Sequence, residues 1–565
     1  CGDTLYGAIT IGASGTSGNP ITLGSYGTGA KPVITGFTSV TAWTNIGTNL
    51  WESTSAVTAS SLMLNMVTVN DSFKAIGRYP KFTGSSSDWI TTTAHTWAGT
   101  PWPISGSVTG VLSGSTNYTG GQVVMRKKHW IIDKATITSQ SYSSGSTTVN
   151  FSQAVAPGSS TDYPPVNGYG FFFQNHVNAC TQQGDWAYNT STKKIQMYSV
   201  GAPTGVKVAS IDTLIYNVGY QYITYSNLNI TGANWILLQL YGNSSYNTVT
   251  NCDFSFGGYE GIYVNGAAKN VSISNCTISY INSIAIYSQS SSSNLTVQYN
   301  TITNCAMTAG MGQNSDGDGF TLVASGNNSL VKYNTLQNCG YNGILFSGTN
   351  TTIQNNFIQN VCQVKDDGAA IYTYDGDVPG STGHGKQVLN NVVINCGSSY
   401  VDYGTDGAKS ASGIYLDGSA SYITVNGNTV ANCTGHGFQA NSPTNDVITN
   451  NTFYNTYIAG VGVVEYPVNV PSNLTFTNNI VFSINEGLIG SFQRRSSSIS
   501  SWGTFDYNYY CRPLHEPSGV TQTGCSNSYN YNDCTHGGII EIFDILSGSG
   551  PDRSEVHTSD LQSDH

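Results

Sequence analysis

Charge is what this sequence has least of. Asp, Glu, Lys and Arg make up 9 % of its 565 residues, against about 25 % in an average soluble domain. Only 20 of them are Lys or Arg, for a net charge of −11. Nucleic acid needs a basic surface, so it is excluded as a partner. A strongly anionic polymer is disfavoured for the same reason. Long apolar runs are missing too: no stretch of about 18 apolar residues is present, so nothing reads as a membrane span. Helical periodicity is absent, and so are the CxxC pairs that mark most zinc sites. The chain is still not of a disordered composition, because apolar residues reach 39 %. Gly, Ser, Thr, Asn and Tyr fill the space that charge leaves, the profile of an all-β extracellular protein. It opens "CGDTLYGAITIG" directly in a strand-like pattern. The expectation is a mature start with its targeting segment gone, and a secreted or cell-surface location.

From about residue 220 the sequence repeats. An Asn opening a short apolar strand recurs at Asn227, Asn251, Asn275, Asn300, Asn334, Asn356, Asn391, Asn428, Asn451 and Asn479, with gaps of 24, 24, 25, 34, 22, 35, 37, 23 and 28. A period of 22 to 25 with strand-like runs and Gly punctuation is that of a solenoid. Leucine-rich repeats lack their leucine spacing here, and a propeller blade needs about 40 residues. The fold class is therefore all-β: a right-handed parallel β-helix of about ten or more coils, with a β-rich N-terminal elaboration. Cys305, Cys339, Cys396 and Cys433 each follow their Asn by five places, and Cys252 and Cys276 by one. Cysteines in register with the coil read as stacked, buried thiols. Cys511, Cys525 and Cys534 lie in loop-rich sequence, where one disulfide is expected in an oxidising compartment.

The expected organisation is residues 1–220 as first coils with an inserted β-rich, aromatic module, 221–510 as the helix core with loop insertions, and 511–565 as a loop-rich cap. Trp89, Trp97 and Trp102 in the first segment read equally as core plugs or as platforms for sugar rings. The stretches "GDTLYGAITI", "SGNPITLGSYGTGAKPVITG", "GDWAYN", "KKIQMY", "KDDGAAIYTY" and "ASGIYLDGSASYITVNGNTV" resemble the secreted right-handed β-helix proteins of bacterial polysaccharide degraders, the pectate-lyase-like superfamily. The resemblance runs from residue 2 to about 510. Members differ in chemistry, so it implies a fold and a polysaccharide partner rather than one reaction.

Three coil spacings carry extra residues, and insertions in solenoids become loops clustered on one side. Between 306 and 417 there are nine Asp and no Glu. The strands "EGIYV", "IAIYS", "DGFTL", "NGILF", "AAIYT", "SGIYL" and "HGFQA" align, so Tyr263, Tyr287, Tyr372, Tyr415 and Gln439 form one outward column. Tyr374 and Asp417 face out two places later. Glu260, Asp318, Asn342, Asp366, Asp367 and His436 come just before the strand. Three readings stay open. A glycoside hydrolase needs a carboxyl pair, with Asp367 and Asp417 expected about 5 Å apart on adjacent coils, or Asp318 and Asp367 roughly 9–10 Å apart. Its catalytic candidates are Asp318, Asp367, Asp417, Asp366 and His436, and it requires no cofactor. Tyr372, Tyr374, Tyr415, Trp89, Trp97, Trp102 and Lys365 are the sugar-binding candidates. A non-catalytic carbohydrate-binding or fibre protein would use the aspartates as turn residues. A lyase would hold Ca²⁺, with Asp316, Asp375 and Asp377 as ligands, and take its base from Lys365, Lys386, His384, Lys409 or His436. The hydrolase on a neutral or weakly charged glycan is preferred. The sequence does not speak to oligomeric state.

Overall fold

The computed structural model describes every residue except 61–62, 100–101, 113, 155–162, 315–317, 398–409, 467–468, 485–487, 496, 498, 514–517, 526–533 and 542–565. Ser86, Ser500 and strands Ser518–Cys525 and Cys534–Glu541 are described by backbone alone. The described residues contain no α-helix. Three long sheets of 13, 14 and 12 strands, here sheets I, II and III, run the length of the molecule. Every pairing in them is parallel except the last one of sheet II. Each coil gives one strand to each sheet, as in Thr213–Val218 (II), Ile223–Ser226 (III) and Asn229–Ala233 (I). Side chains alternate in and out of each strand, so the inward Ile, Val, Leu and Phe of successive coils stack into one continuous core.

Corner chemistry explains the repeat. At the turn between sheets III and I, the left-handed position is taken by Asn227, Asn251, Asn275, Tyr299, Tyr333, Asn355, Asn390, Gly427, Asn450, Asn478 and Tyr507. Asn tolerates that conformation better than most residues. The next residue points inward and runs Leu228, Cys252, Cys276, Asn300, Asn334, Asn356, Asn391, Asn428, Asn451, Asn479, Asn508. From Asn300 onward this is a buried amide ladder. In it, each backbone N–H and each Nδ2 donates to the next Asn Oδ1 at 2.9–3.0 Å. The repeat Asn read as a single series thus occupies two adjacent columns, switching between Asn275 and Asn300. The described cysteines are all free, and all but Cys1 are buried. Cys305 lies opposite Cys339 in register. Of the C-terminal three, Cys511 is free and buried, and backbone register sets Cys525 opposite Cys534.

A long insertion follows the first coil, Ile9–Thr10 (II), Ile21–Gly24 (III) and Val33–Thr35 (I). Strand Val33–Thr35 pairs with Asn229–Ala233, and the residues between leave the helix at Gly36 and return at Ser210, whose N–H donates to the Gly36 carbonyl at 3.0 Å. Within this insertion, Ile90–Trp97, Ile104–Val111, Ser146–Gln153, Ile131–Ser143, Gln122–Lys128 and Gly170–Gln174 form an antiparallel barrel. Gly170–Gln174 closes it by pairing with both Ile90–Trp97 and Gln122–Lys128. Two four-stranded sheets flank it. Trp89 fills the barrel side, edge-on to Phe172 at 4.8 Å and flanked by Arg78 and Arg126. Trp97 packs on Phe151, with the Lys127 ammonium 4.2 Å from its ring. Trp89, 9 % exposed, is a packing residue rather than a sugar platform, whereas Trp97 is half-buried. Trp102 lies half-buried nearby.

Candidate functional site

The outward face of sheet II carries the expected aromatic column. Register joins Tyr263 to Tyr287, Tyr287 to Val323, Val323 to Leu345, Leu345 to Tyr372, Tyr372 to Tyr415 and Tyr415 to Gln439. One alignment changes. Ile286 pairs with Leu322, not Phe320, so the register differs from the expected alignment of "DGFTL" by two places. Phe320 and Leu322 have the same parity, and alternation alone cannot choose between them. Asp318 therefore leaves the column of Glu260, while Asn342 and His436 stay in it.

The next outward column reads Tyr374, Asp417, Asn441. Asp417 is its centre. Oδ2 accepts from the Tyr372 hydroxyl at 2.8 Å; Oδ1 accepts from Asn441 Nδ2 at 2.6 Å, the Gly418 N–H at 2.7 Å and the Tyr466 hydroxyl at 3.3 Å. Burial raises its acid above the ordinary aspartate value, against the opposing pull of these donors. Asn441 Nδ2 also lies 2.7 and 2.6 Å from the hydroxyls of Tyr415 and Tyr466. Burial, and then the charges of Asp417 and other neighbours including Asp367, push the phenols of Tyr372 and Tyr415 well up. Tyr374 is 49 % exposed, so the column ends in an open aromatic edge.

Asp367 is half-buried in a left-handed conformation (φ 52°), and its carbonyl accepts from the Tyr341 hydroxyl at 3.0 Å. Asp417 lies opposite Tyr374 in register, seven positions further along than Asp367. The expected face-to-face pairing of these two aspartates on adjacent coils therefore does not form. The aromatic array lies between them: Phe320 stacks near Tyr341 at 5.3 Å and Tyr372 at 6.4 Å, and Tyr372 meets Tyr415 edge-on at 5.4 Å.

Asp318 belongs to a separate, sealed cluster. Its Oδ1 accepts from Ser283 Oγ at 2.6 Å and from the Gln313 N–H at 2.9 Å. Lys365 Nζ stands 3.6 Å from its carboxylate and donates to its carbonyl at 2.9 Å. Gln313 Nε2 reaches back to Glu260 Oε1 at 2.6 Å. Burial is the main cause that lifts the Glu260 acid to about 8. The adjoining crevice, lined by Asp318, Lys365, Lys134, Gln313 and Tyr341, has a volume of about 20 Å³, room for one water rather than a sugar ring.

Several expected site residues are occupied structurally. Lys365 is 3 % exposed and bonded to Asp318, so it does not reach a ligand. Asp366 binds His129 Nδ1 at 2.8 Å and lies 3.5 Å from Arg126. Asp375 forms a fully buried pair with Lys386 at 2.8 Å. Asp377 turns the chain at φ 61°, its carbonyl accepting from Asn469. Asp316 and Lys409 lie outside the described residues, and among those described no group of three His, Cys, Asp or Glu is placed to hold a metal. His436 is 2 % exposed, Nδ1 on Gln439 Oε1 at 3.2 Å, and burial lowers its pKa to about 4. Buried and bonded to Gln439, it does not present the accessible ring that a catalytic acid or base needs. Asn441 was missed, although its place two residues after Gln439 matches that of Asp417 after Tyr415. No sequence signal marks His129 or Tyr466.

A family model described as "Right handed beta helix region" matches residues 213–393 and 323–501, together more than half of the chain. The chain belongs to this right-handed β-helix family. No curated protein compared with it matches. Among solved structures, a protein titled a glycoside hydrolase is similar over 79 % of this chain and 87 % of its own, at 14 % identity and a TM-score of 0.58. The A-module of a mannuronan C-5 epimerase from Azotobacter vinelandii aligns at 12 % identity and TM-score 0.35, over 57 % of this chain and 82 % of its own. A mutant tailspike protein of E. coli bacteriophage HK620, in complex with a hexasaccharide, aligns at 13 % identity and TM-score 0.37, over 53 % of this chain and 54 % of its own. At these identities the likenesses speak to the fold alone.

Proposed function

We propose that the protein is a glycoside hydrolase that takes a neutral glycan along the tyrosine-lined face of sheet II, with Asp417 as its proton donor. The observation that carries this is Asp417 itself: a carboxyl with a raised pKa, held by four donors, beside an exposed tyrosine edge. A raised acid keeps its proton to higher pH, as a leaving-group oxygen requires. Asp367 lies seven positions along the strand from the residue opposite Asp417 and is not assigned as its partner carboxylate. The protein titled a glycoside hydrolase that shares its fold supports the reading. The lyase reading loses support because Lys365 and Lys386, two of its bases, are each spent on an aspartate. The cations of Arg126, Lys365 and Lys386 are all paired with aspartates, so none of the three is left for a uronate carboxylate. Secretion remains part of the proposal, from composition.

The test is release of reducing ends from a panel of neutral polysaccharides, with absorbance of unsaturated products followed in parallel. Reducing ends without absorbance, lost about 10³-fold in Asp417→Asn with the fold intact, would support the reading. Full activity in that variant, or unsaturated products, would overturn it.

A further inference from the structure

The corner after Tyr374 encloses a lysine and two aspartates that the proposed function does not use. Asp375 follows strand Gly368–Tyr374 of sheet II, and Lys386 opens strand Lys386–Leu389 of sheet III. Lys386 Nζ donates to Asp375 Oδ1 at 2.8 Å, and both side chains are 0 % exposed. Thr382 Oγ1 bonds to both, donating to the same Oδ1 and accepting from Nζ at 2.9 Å. The other carboxylate oxygen, Oδ2, accepts from two backbone N–H groups, of Gly380 at 3.1 Å and of Ser421 at 3.3 Å. Asp446 is the third member. Register carries Lys386 to Ile423 and on to Asp446. Asp446 is fully buried; its Oδ1 accepts from the Ile423 N–H at 2.8 Å, and its Oδ2 makes no hydrogen bond. Burial raises its acid well above the ordinary aspartate value, against the pull of that N–H and of the Lys386 charge. It therefore holds its proton.

An ammonium and a carboxylate held away from water each lose their hydration. Moving one proton from nitrogen to oxygen turns them into an amine and an acid. The amine lone pair then faces a carboxyl carbon whose second oxygen is held by two N–H donors, an arrangement that stabilises an oxyanion. Fixed contact replaces a bimolecular encounter. We propose that Lys386 and Asp375 condense into an amide, a cross-link that the folded chain makes within itself. Nζ bonds to Cγ and the Cγ–Oδ1 bond breaks. Two of the three ammonium protons leave with Oδ1 as water, and the third stays on the amide. Asp446 relays one of them, giving its own proton to the leaving oxygen and regaining one from the nitrogen. No oxidant or cofactor enters the balance. The cross-link fixes the insertion 376–385 beside the tyrosine column, and it does not depend on the hydrolase reading.

The test is tryptic peptide mapping of the full-length protein by mass spectrometry. Trypsin does not cut after an amide-bonded lysine. Residues 366–409 should therefore appear as one peptide, one water lighter than its sequence, with fragment ions that tie Asp375 to Lys386. Separate peptides 366–386 and 387–409 at full mass overturn the proposal. So does a lost water with Lys386 still cut, because that is a succinimide at Asp375–Gly376. Asp446→Asn keeps an acceptor for the Ile423 N–H but has no acid proton to relay. It should yield the two separate peptides. Full cross-linking in that variant overturns the relay assigned to Asp446, and where the variant does not fold, the map of the unaltered chain decides the cross-link alone.

Discussion

Glu260 and His436 occupy one outward column of sheet II, and both are buried, with opposite consequences for pH. For Glu260 the folded acid is raised to about 8 from 4.5. Its contribution to stability is complete below pH 4.5 and is lost as pH rises toward 8. Glu260→Gln should therefore add about 3 kcal/mol at pH 7 and nothing at pH 4, as read from urea unfolding at the two pH values. His436 runs the other way. Its folded pKa is depressed from 6.5 to about 4, so its contribution is complete above pH 6.5 and falls as pH drops toward 4. In His436→Gln the acid limb of the stability profile should flatten over that interval. Under the proposed hydrolase function the raised acid of Asp417 must stay protonated, so activity should fall on the alkaline side. In Tyr372→Phe that limb should move to higher pH, because the lost hydrogen bond favours the charged form.

Among the elements, the buried asparagine ladder joins coil to coil alongside the three sheets and the core. Asn391 accepts from the N–H and Nδ2 of Asn356 and donates to Asn428 Oδ1 and the Ile353 carbonyl, at 2.9–3.0 Å. Asn391→Ala leaves a buried backbone donor and two amides short of partners, for an expected loss of about 4 kcal/mol in chemical unfolding. The ladder also shows how the sequence can be read and misread. A gap of 25 between Asn275 and Asn300, among gaps of 24, is the step from the left-handed corner column to the buried one. The period identified the solenoid because each coil must match its neighbour. The slip went unseen because Asn suits both columns for different reasons, αL tolerance in one and amide laddering in the other. Further along, Cys525 and Cys534 face each other across an antiparallel pair. Peptide mapping without reductant, after expression in an oxidising compartment, should find them joined, with Cys511 free.

For the molecule as a whole, legibility follows sequence distance. The aromatic column of sheet II and the outward Asp417 could be read because period and strand alternation repeat locally. The partners that give side chains their roles could not. Asp366 meets His129 across 237 residues, and Lys365 looks like a ligand-binding cation until Asp318, 47 residues away, is seen to hold it. Charge pairing of this kind depends on where an insertion docks, and no periodicity encodes that. The nine buried thiols among the described residues yield a global readout: in the native protein only Cys1 of the described cysteines should react quickly with a thiol reagent, the others on unfolding.

The chain leaves the helix at Gly36, after its first coil, and returns at Ser210 to begin the second, which sets an order of events during synthesis. The strands Ile9–Thr10 and Ile21–Gly24 find their parallel partners only in Thr213–Val218 and Ile223–Ser226. As the polypeptide emerges from the ribosome, the opening strands must wait through some two hundred residues of translation while the barrel, whose pairings are mostly local, completes itself. The barrel is thus complete in sequence before the second coil can stack on the first. Each later coil then has a ready template in the one before it.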